Sequence, residues 1–238
     1  MAETEEELLK AHQSLPTSGA RAALTFEIGG RLCLAVPQLA RDIPGRPADM
    51  NGGDSDIEMP ILRWRDGAFE PWLSLPVPGG EDAEFFQIGD RSFLATASIR
   101  AGSGPYEFNV RSILHEWDGG NFVPFQEFPT FAAKQWRHFA IGDRHFLALA
   151  QGVVVDGLTP DHDPASRIFE WDGARFTSFQ ELRSGWGYNF HHFRIGETDF
   201  LGYADHVEPS VVLRWTGTGF EPFRSMEGKA GRAFQYFE

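Results

Sequence analysis

Hard-metal chemistry is the first possibility that the side chains raise. In Asn51-Gly52-Gly53-Asp54-Ser55-Asp56-Ile57-Glu58 oxygen-bearing residues alternate, as a calcium-wrapping loop requires, and Asp161-His162-Asp163 is a second acidic run. Neither places a turn glycine and a terminal bidentate glutamate at the spacing that ion needs. Asp54, Asp56, Asp161 and Asp163 therefore read as solvated acidic turns and weak metal candidates; the expectation is no cofactor, with calcium as the one alternative.

Zinc is the next possibility, because eight histidines are present and His138, His191 and His192 stand close before a phenylalanine. His138 and His192 share a register position with Phe85 and Thr25, and a position that accepts Phe, Thr and His reads as packing or surface rather than ligation. The single cysteine, Cys33, cannot form an intramolecular disulfide, and it stands where other copies of the same motif carry Phe93, Phe146 and Phe200. A buried structural thiol is expected. No glycine-rich phosphate loop and no nucleophile elbow occurs. A non-catalytic protein is the expectation.

The elements that would position these groups repeat. Ile28-Gly29, Ile88-Gly89, Ile141-Gly142 and Ile195-Gly196 are answered by Trp64, Trp117, Trp171 and Trp215. From each of the first three tryptophans to the next isoleucine is 24 residues, and a phenylalanine follows each tryptophan by five: Phe69, Phe122, Phe176 and Phe220. Self-similarity with a period of about 53 residues outranks any local motif in deciding the fold. Each copy opens on Phe-x-Ile-Gly, turns, and continues through an apolar run such as Phe93-Leu94-Ala95. A second hairpin turns at Asp66-Gly67, Asp118-Gly119, Asp172-Gly173 or Thr216-Gly217. Four short antiparallel strands per copy is the arithmetic of a propeller blade, so the fold expected is an all-β propeller of four-stranded antiparallel blades.

Composition agrees. The 238 residues are 42% hydrophobic and include 22 Phe and 7 Trp against 4 Tyr and 4 Met, as large rings packed at recurring positions demand. A net charge of −13 repels phosphate backbones, so nucleic acid is an unlikely partner. No run of about 18 apolar residues suggests membrane insertion. Met1-Ala2-Glu3-Thr4-Glu5-Glu6-Glu7 lacks the regions of a signal peptide, so the chain as written reads as soluble and made inside a cell.

The assembled motif, closest in Trp117-Asp118-Gly119-Gly120-Asn121-Phe122-Val123-Pro124-Phe125-Gln126-Glu127-Phe128-Pro129-Thr130 followed by Trp136 to Ala150, resembles the epitempin (EAR, EPTP) repeat. The resemblance covers residues 22 to 238. It implies a β-propeller that binds other proteins, as in secreted leucine-rich glioma-inactivated proteins, and an extracellular or cell-surface setting; it brings no catalytic residues. Two departures stand out. Family propellers usually close with seven repeats against four here, and the fourth copy carries Trp215-Thr216-Gly217 and Arg224 where others have Trp-Asp-Gly and glutamine.

The expected division is an N-terminal extension, 1 to 20, helical or disordered, with a possible capping box at Thr4 to Glu7, then repeats at about 21–79, 80–131, 132–185 and 186–231. A partial fifth follows at 232–238. Arg232-Ala233-Phe234-Gln235-Tyr236-Phe237-Glu238 matches Arg21 to Glu27 at Arg, Ala, Phe and Glu, which makes it the opening strand of a fifth repeat. Three arrangements fit: a piece of a longer array, a four-bladed ring clasped by the extra strand, or a homo-oligomer sharing strands. The copies differ most between isoleucine and tryptophan, so function is expected on one rim built from Pro37 to Glu58, Ser98 to Arg111, Gln151 to Ala165 and Asp205 to Pro209. Arg41, Asp42, Tyr106, Phe108 and Asp156 are the candidate exposed residues for binding a protein partner. A glycan-binding or sugar-processing propeller is the alternative, and would show carboxylates converging in one pocket.

Overall fold

The computed structural model describes residues 10–155 and 157–237. Among the described residues sixteen strands form four sheets of four, each an antiparallel meander of consecutive strands. Blade 1 is β1 (Leu24–Ile28), β2 (Arg31–Ala35), β3 (Glu58–Arg65) and β4 (Ala68–Pro76); blade 2 is β5 (Gly80–Ile88), β6 (Arg91–Ser98), β7 (Ser112–Trp117) and β8 (Phe122–Phe128). Blade 3 is β9 (Ala133–Ile141), β10 (Arg144–Gln151), β11 (Ser166–Trp171) and β12 (Phe176–Leu182). Blade 4 is β13 (Gly187–Ile195), β14 (Thr198–Asp205), β15 (Val211–Trp215) and β16 (Phe220–Ser225). The expected all-β propeller is what the sequence folds into. Each Ile-Gly pair turns with the glycine at positive φ, and Asp66-Gly67 closes the β3/β4 hairpin with both residues there, the geometry that suits the twist of paired strands.

The cores lie between blades rather than within them. One cluster joins blades 1 and 2 through Phe26, Cys33, Met59, Ile61, Leu94 and Phe122. Equivalent clusters join blades 2 and 3 around Phe93, Trp136 and Leu149, and blades 3 and 4 around Phe146, Phe190 and Leu213. Two register slips per blade build these interfaces. In the outer hairpins the slips fall at Ile61/Leu62, Leu114/His115, Ile168/Phe169 and Val212/Leu213, leaving Trp72, Phe125, Phe179 and Phe223 as the extra residues. A bulge bends the strand and re-aims its side chain. Trp72 thereby meets Trp117 of the next blade at 5.5 Å, Phe125 meets Trp171 at 6.1 Å and Phe179 meets Trp215 at 6.0 Å. This is why tryptophan recurs at fixed spacing: it docks each blade on its predecessor. Arg91 and Arg144 cover the same rings while paired to Glu116 and Glu170.

Along the innermost strands a second set of contacts repeats. Phe85, His138 and His192 stack on Phe26, Phe86 and Phe139 of the preceding blade, at 4.6, 4.2 and 4.9 Å between ring centres. The histidines are thus packing residues. His138 is pushed down to about 3 by burial and by nearby His145, so it is neutral. Cys33 is fully buried, and burial raises its thiol pKa against the pull of Arg31.

Both ends of the chain follow the same rules. Residues 231–237 form no ladder, yet Tyr236 stacks on Phe193 at 5.1 Å, and the Phe234 N–H donates to Asn189 Oδ1 as the Phe190 N–H donates to Gln135 Oε1. They dock where the innermost strand of a fifth blade would lie. At the other end, Gln13 clamps the backbone of Phe69 in both directions, as Gln126 clamps Phe176 and Gln180 clamps Phe220. His12 meets Trp64 at 5.8 Å and Leu15 packs on Leu34, Val36 and Leu62. Residues 12–17, His-Gln-Ser-Leu-Pro-Thr, share glutamine, proline and threonine in register with Phe125 to Thr130, which run through and just past the end of outer strand β8. From residue 12 the extension is irregular backbone docked on blade 1 by these side chains, with no helix among residues 10–20; the capping box at Thr4 to Glu7 lies outside the described residues. Ile195, Phe223 and Phe237, on the far side of blade 4, remain 52, 57 and 84% exposed.

Candidate functional site

The four variable loops, which join the second and third strands of each blade, emerge at one end of the propeller and fuse into a layer with its own core. Leu39, Ala40, Ile99, Phe108, Phe131 and Val155 come together there, with Tyr106 and Trp186 packed against them. Hydrogen bonds stitch loop to loop: Ser55 N–H to Gly102 O (2.9 Å), Gly102 N–H to Asp56 Oδ1 (2.8 Å), Tyr106 hydroxyl to Gly53 O (2.9 Å), and Asp161 N–H to Asn109 Oδ1 (2.9 Å). Arg100 is the pin. It is 1% exposed, lies 3.7 Å over the Tyr106 ring, and donates to Ser55 Oγ and to the carbonyls of Asp49, Met50 and Gly52. The fourth loop is held by buried Asp205, whose carboxylate accepts the N–H groups of Gly185, Trp186, Val207 and Glu208.

The structure brings the candidate residues into this layer but divides their roles. Arg41 is exposed and paired with Asp54; Asp42 is exposed and caps the Ala48 N–H at 2.6 Å. Phe108 corrects the expectation of an exposed binding ring: it is 5% exposed, because the loops needed a core of their own. Tyr106 is likewise half-buried with its hydroxyl used internally. Asp156 lies outside the described residues. Of the metal candidates, Asp54 is held below the usual carboxylate range by the Arg41 hydrogen bond, while Asp56, Asp161 and Asp163 serve loop contacts. Among the described residues no group of three or more His, Cys, Asp or Glu could hold a metal ion.

The surface of the layer carries side chains that sequence reasoning passed over. Met50, Val154, Leu158 and Val207, drawn from three of the loops, are 42, 52, 50 and 42% exposed. A groove of about 350 Å³ includes Val154 in its lining, with Val153, Thr159, Pro160, Pro164 and Ser184. The signal was present in the sequence, where Val153-Val154-Val155 interrupts an otherwise polar loop. A second recess, about 570 Å³ and polar, runs between Pro16, Arg41, Asp56 and Glu58.

The two carboxylates whose pKa is raised are employed elsewhere. Asp82 is pushed up to about 7 by burial and by Glu84, and its Oδ2 accepts the Trp136 N–H. Glu84, raised by burial, accepts the His138 N–H and pairs with Arg137 at 2.9 Å. Both hold blade 3 against blade 2.

Residues 121–172 and 175–216 match the EPTP domain family. The thrombospondin-type laminin G domain and EAR repeat-containing proteins of Homo sapiens and Mus musculus are each 30% identical, over 66 and 68% of this chain and 24% of theirs. The chain thus spans about a quarter of the length of these curated relatives. Among solved structures, an exo-β-1,3-galactanase from Phanerochaete chrysosporium with β-1,3-galactotriose superposes with a TM-score of 0.54 at 9% identity, over 90% of this chain and 50% of that one. That likeness is one of fold.

Proposed function

We propose, from the chain's membership of the EAR/EPTP repeat family, that it is a non-catalytic module that binds a protein partner through the loop-bearing face. The observation that carries this reading is the exposure of Met50, Val154, Leu158 and Val207 on a layer that Arg100 and Asp205 hold rigid. Exposed apolar side chains on a face that also carries a largely apolar groove suit an interface core, and a preorganised face loses little entropy on binding. A sugar-processing reading needs two carboxylates flanking a bound ring. The two acids with raised pKa instead give their oxygens to backbone and to Arg137. An extracellular setting accompanies the proposal, in keeping with relatives named for a thrombospondin-type laminin G domain.

Photo-cross-linking from position 154, with position 66 at the opposite end as control, tests the proposal. A defined protein adduct from 154 alone, lost with Leu158→Asp, is expected. Hydrolysis of a glycan by the purified chain, with no adduct at 154, would overturn it.

A further inference from the structure

At the loop end of each innermost strand the ladder slips by one residue. The slips fall at Gly80/Asp82, Ala133/Gln135 and Gly187/Asn189, and between the Ala20↔Gln38 bridge and Leu24↔Ala35. The extra residues are Glu81, Lys134 and Tyr188; Arg21 holds the same register in blade 1 and Arg232 in the C-terminal segment. These five side chains meet in order. Arg21 Nε is 3.1 Å from Glu81 Oε1, and Lys134 Nζ is 3.3 Å from Glu81 Oε2. Lys134 Nζ stands 5.2 Å, and the Arg232 guanidinium 4.4 Å, from the centre of the Tyr188 ring. Lys134 and Glu81 form a buried floor, while Arg21 and Arg232 are open to solvent.

Two cations share the Glu81 carboxylate and a third, Arg232, acts on Lys134 from across the Tyr188 ring, in a protein whose net charge is −13. A structural pin needs a single cation, and further like charges at a buried ammonium raise its energy. Burial depresses the Lys134 pKa, Glu81 opposes that, and both Arg21 and Arg232 add to the depression. Glu81 Oε1 is also left without a hydrogen bond, since the Arg21 Nε approach is off line. Excess positive charge beside an unfilled buried acceptor is the complement of a ligand with an anionic group and a hydroxyl.

We propose that this axial cluster binds a small sugar acid, its carboxylate between Arg21 and Arg232 above Lys134 and one hydroxyl donating to Glu81 Oε1. The site lies at the same end of the propeller as the loop layer but uses none of the exposed apolar side chains of the proposed protein-binding face.

Calorimetric titration of the 238-residue chain at low ionic strength tests it, with glucuronate as probe and glucose and inorganic sulfate as comparators. Saturable binding of glucuronate, none of glucose, and weaker binding of sulfate are expected. Arg21→Ala and Arg232→Ala, both at exposed positions, should each weaken glucuronate by about tenfold, the worth of one charge-assisted hydrogen bond. Arg183→Ala, whose exposed guanidinium pairs with Glu208, should leave affinity unchanged. Sulfate binding as tight as glucuronate would reduce the cluster to a bare anion hole and overturn the sugar-acid assignment. No saturable glucuronate binding, equal binding of glucose, or wild-type affinity in both alanine variants that fold would overturn it as well.

Discussion

Asp82→Asn should stabilise the protein above neutral pH, and the repeat itself supplies the reason. Gln135 and Asn189 hold the equivalent position in blades 3 and 4, where neutral amides accept the next strand's N–H. Only blade 2 uses a carboxyl there, beside Glu84, and its pKa rises from 3.8 to about 7. A folded pKa above the unfolded one means that the native state holds the proton more tightly. Its stabilisation is complete below about pH 4 and is lost as pH rises toward 7. A displacement of that size corresponds to about 4 kcal/mol. Solvent reaches part of the side chain and Glu84 shares the repulsion, so about 2 kcal/mol is the working figure and about 4 the ceiling. Asparagine keeps the acceptor for the Trp136 N–H and removes the charge. Thermal unfolding should show variant and wild type together near pH 4 and the variant roughly 4–8 °C higher at pH 8, given the response expected at this chain length. An Asn variant less stable than wild type at pH 8 would mean that an ionised Asp82 is favoured by Arg137 and the Trp136 N–H, and would refute the reasoning.

His138 works in the opposite sense: its folded pKa, about 3, lies below the unfolded 6.5, so stability is lost as pH falls below 6.5, and His138→Phe, copying Phe85, should shift the acid unfolding midpoint downward in circular dichroism. Gln126→Leu, copying Leu73 of blade 1, removes both bonds to the Phe176 backbone and should cost about 1–3 kcal/mol in urea unfolding. A Cβ on Gly202 would stand 2.7 Å from the Phe234 ring, so Gly202→Ala should release the C-terminal segment and speed tryptic cleavage after Arg232, although Ala35, Ala95 and Ala148 occupy the matching positions elsewhere. Cys33, fully buried with its thiol pKa raised by burial, should resist an aromatic disulfide reagent until the protein unfolds.

The strands were legible because their signals are local: Phe-x-Ile-Gly and Asp-Gly turns set the hairpins, and the constant 24-residue step set the blade. The bulges were not, since Trp72, Phe125 and Phe179 are out of register only relative to a partner strand. The role of Gln126 and Gln180 was hidden for a similar reason, as the amides act on the following blade. Residues 12–17 escaped notice because only glutamine, proline and threonine survive from Phe125 to Thr130, with His12, Ser14 and Leu15 at the other places. At the site, loop lengths correctly located the variable end. Loop length does not say which side chains are spent on the layer's own core, so that aromatic Phe108 is buried while aliphatic Val154 and Leu158 are at the surface.

The blade-to-blade contacts that recur have a direction. Side chains of an innermost strand receive the N–H groups of the following strand, and the outer-strand bulges of blades 1, 2 and 3 receive the following tryptophan. Each repeat is therefore a cassette with a head and a tail, and any two joined in order present the same junction. Whole cassettes can be duplicated, removed or shuffled between genes without redesigning an interface, whereas a partial one leaves a junction half made. Polarity of this kind lets a family change its blade number while keeping its fold, and leaves each cassette's loop free to diverge on its own.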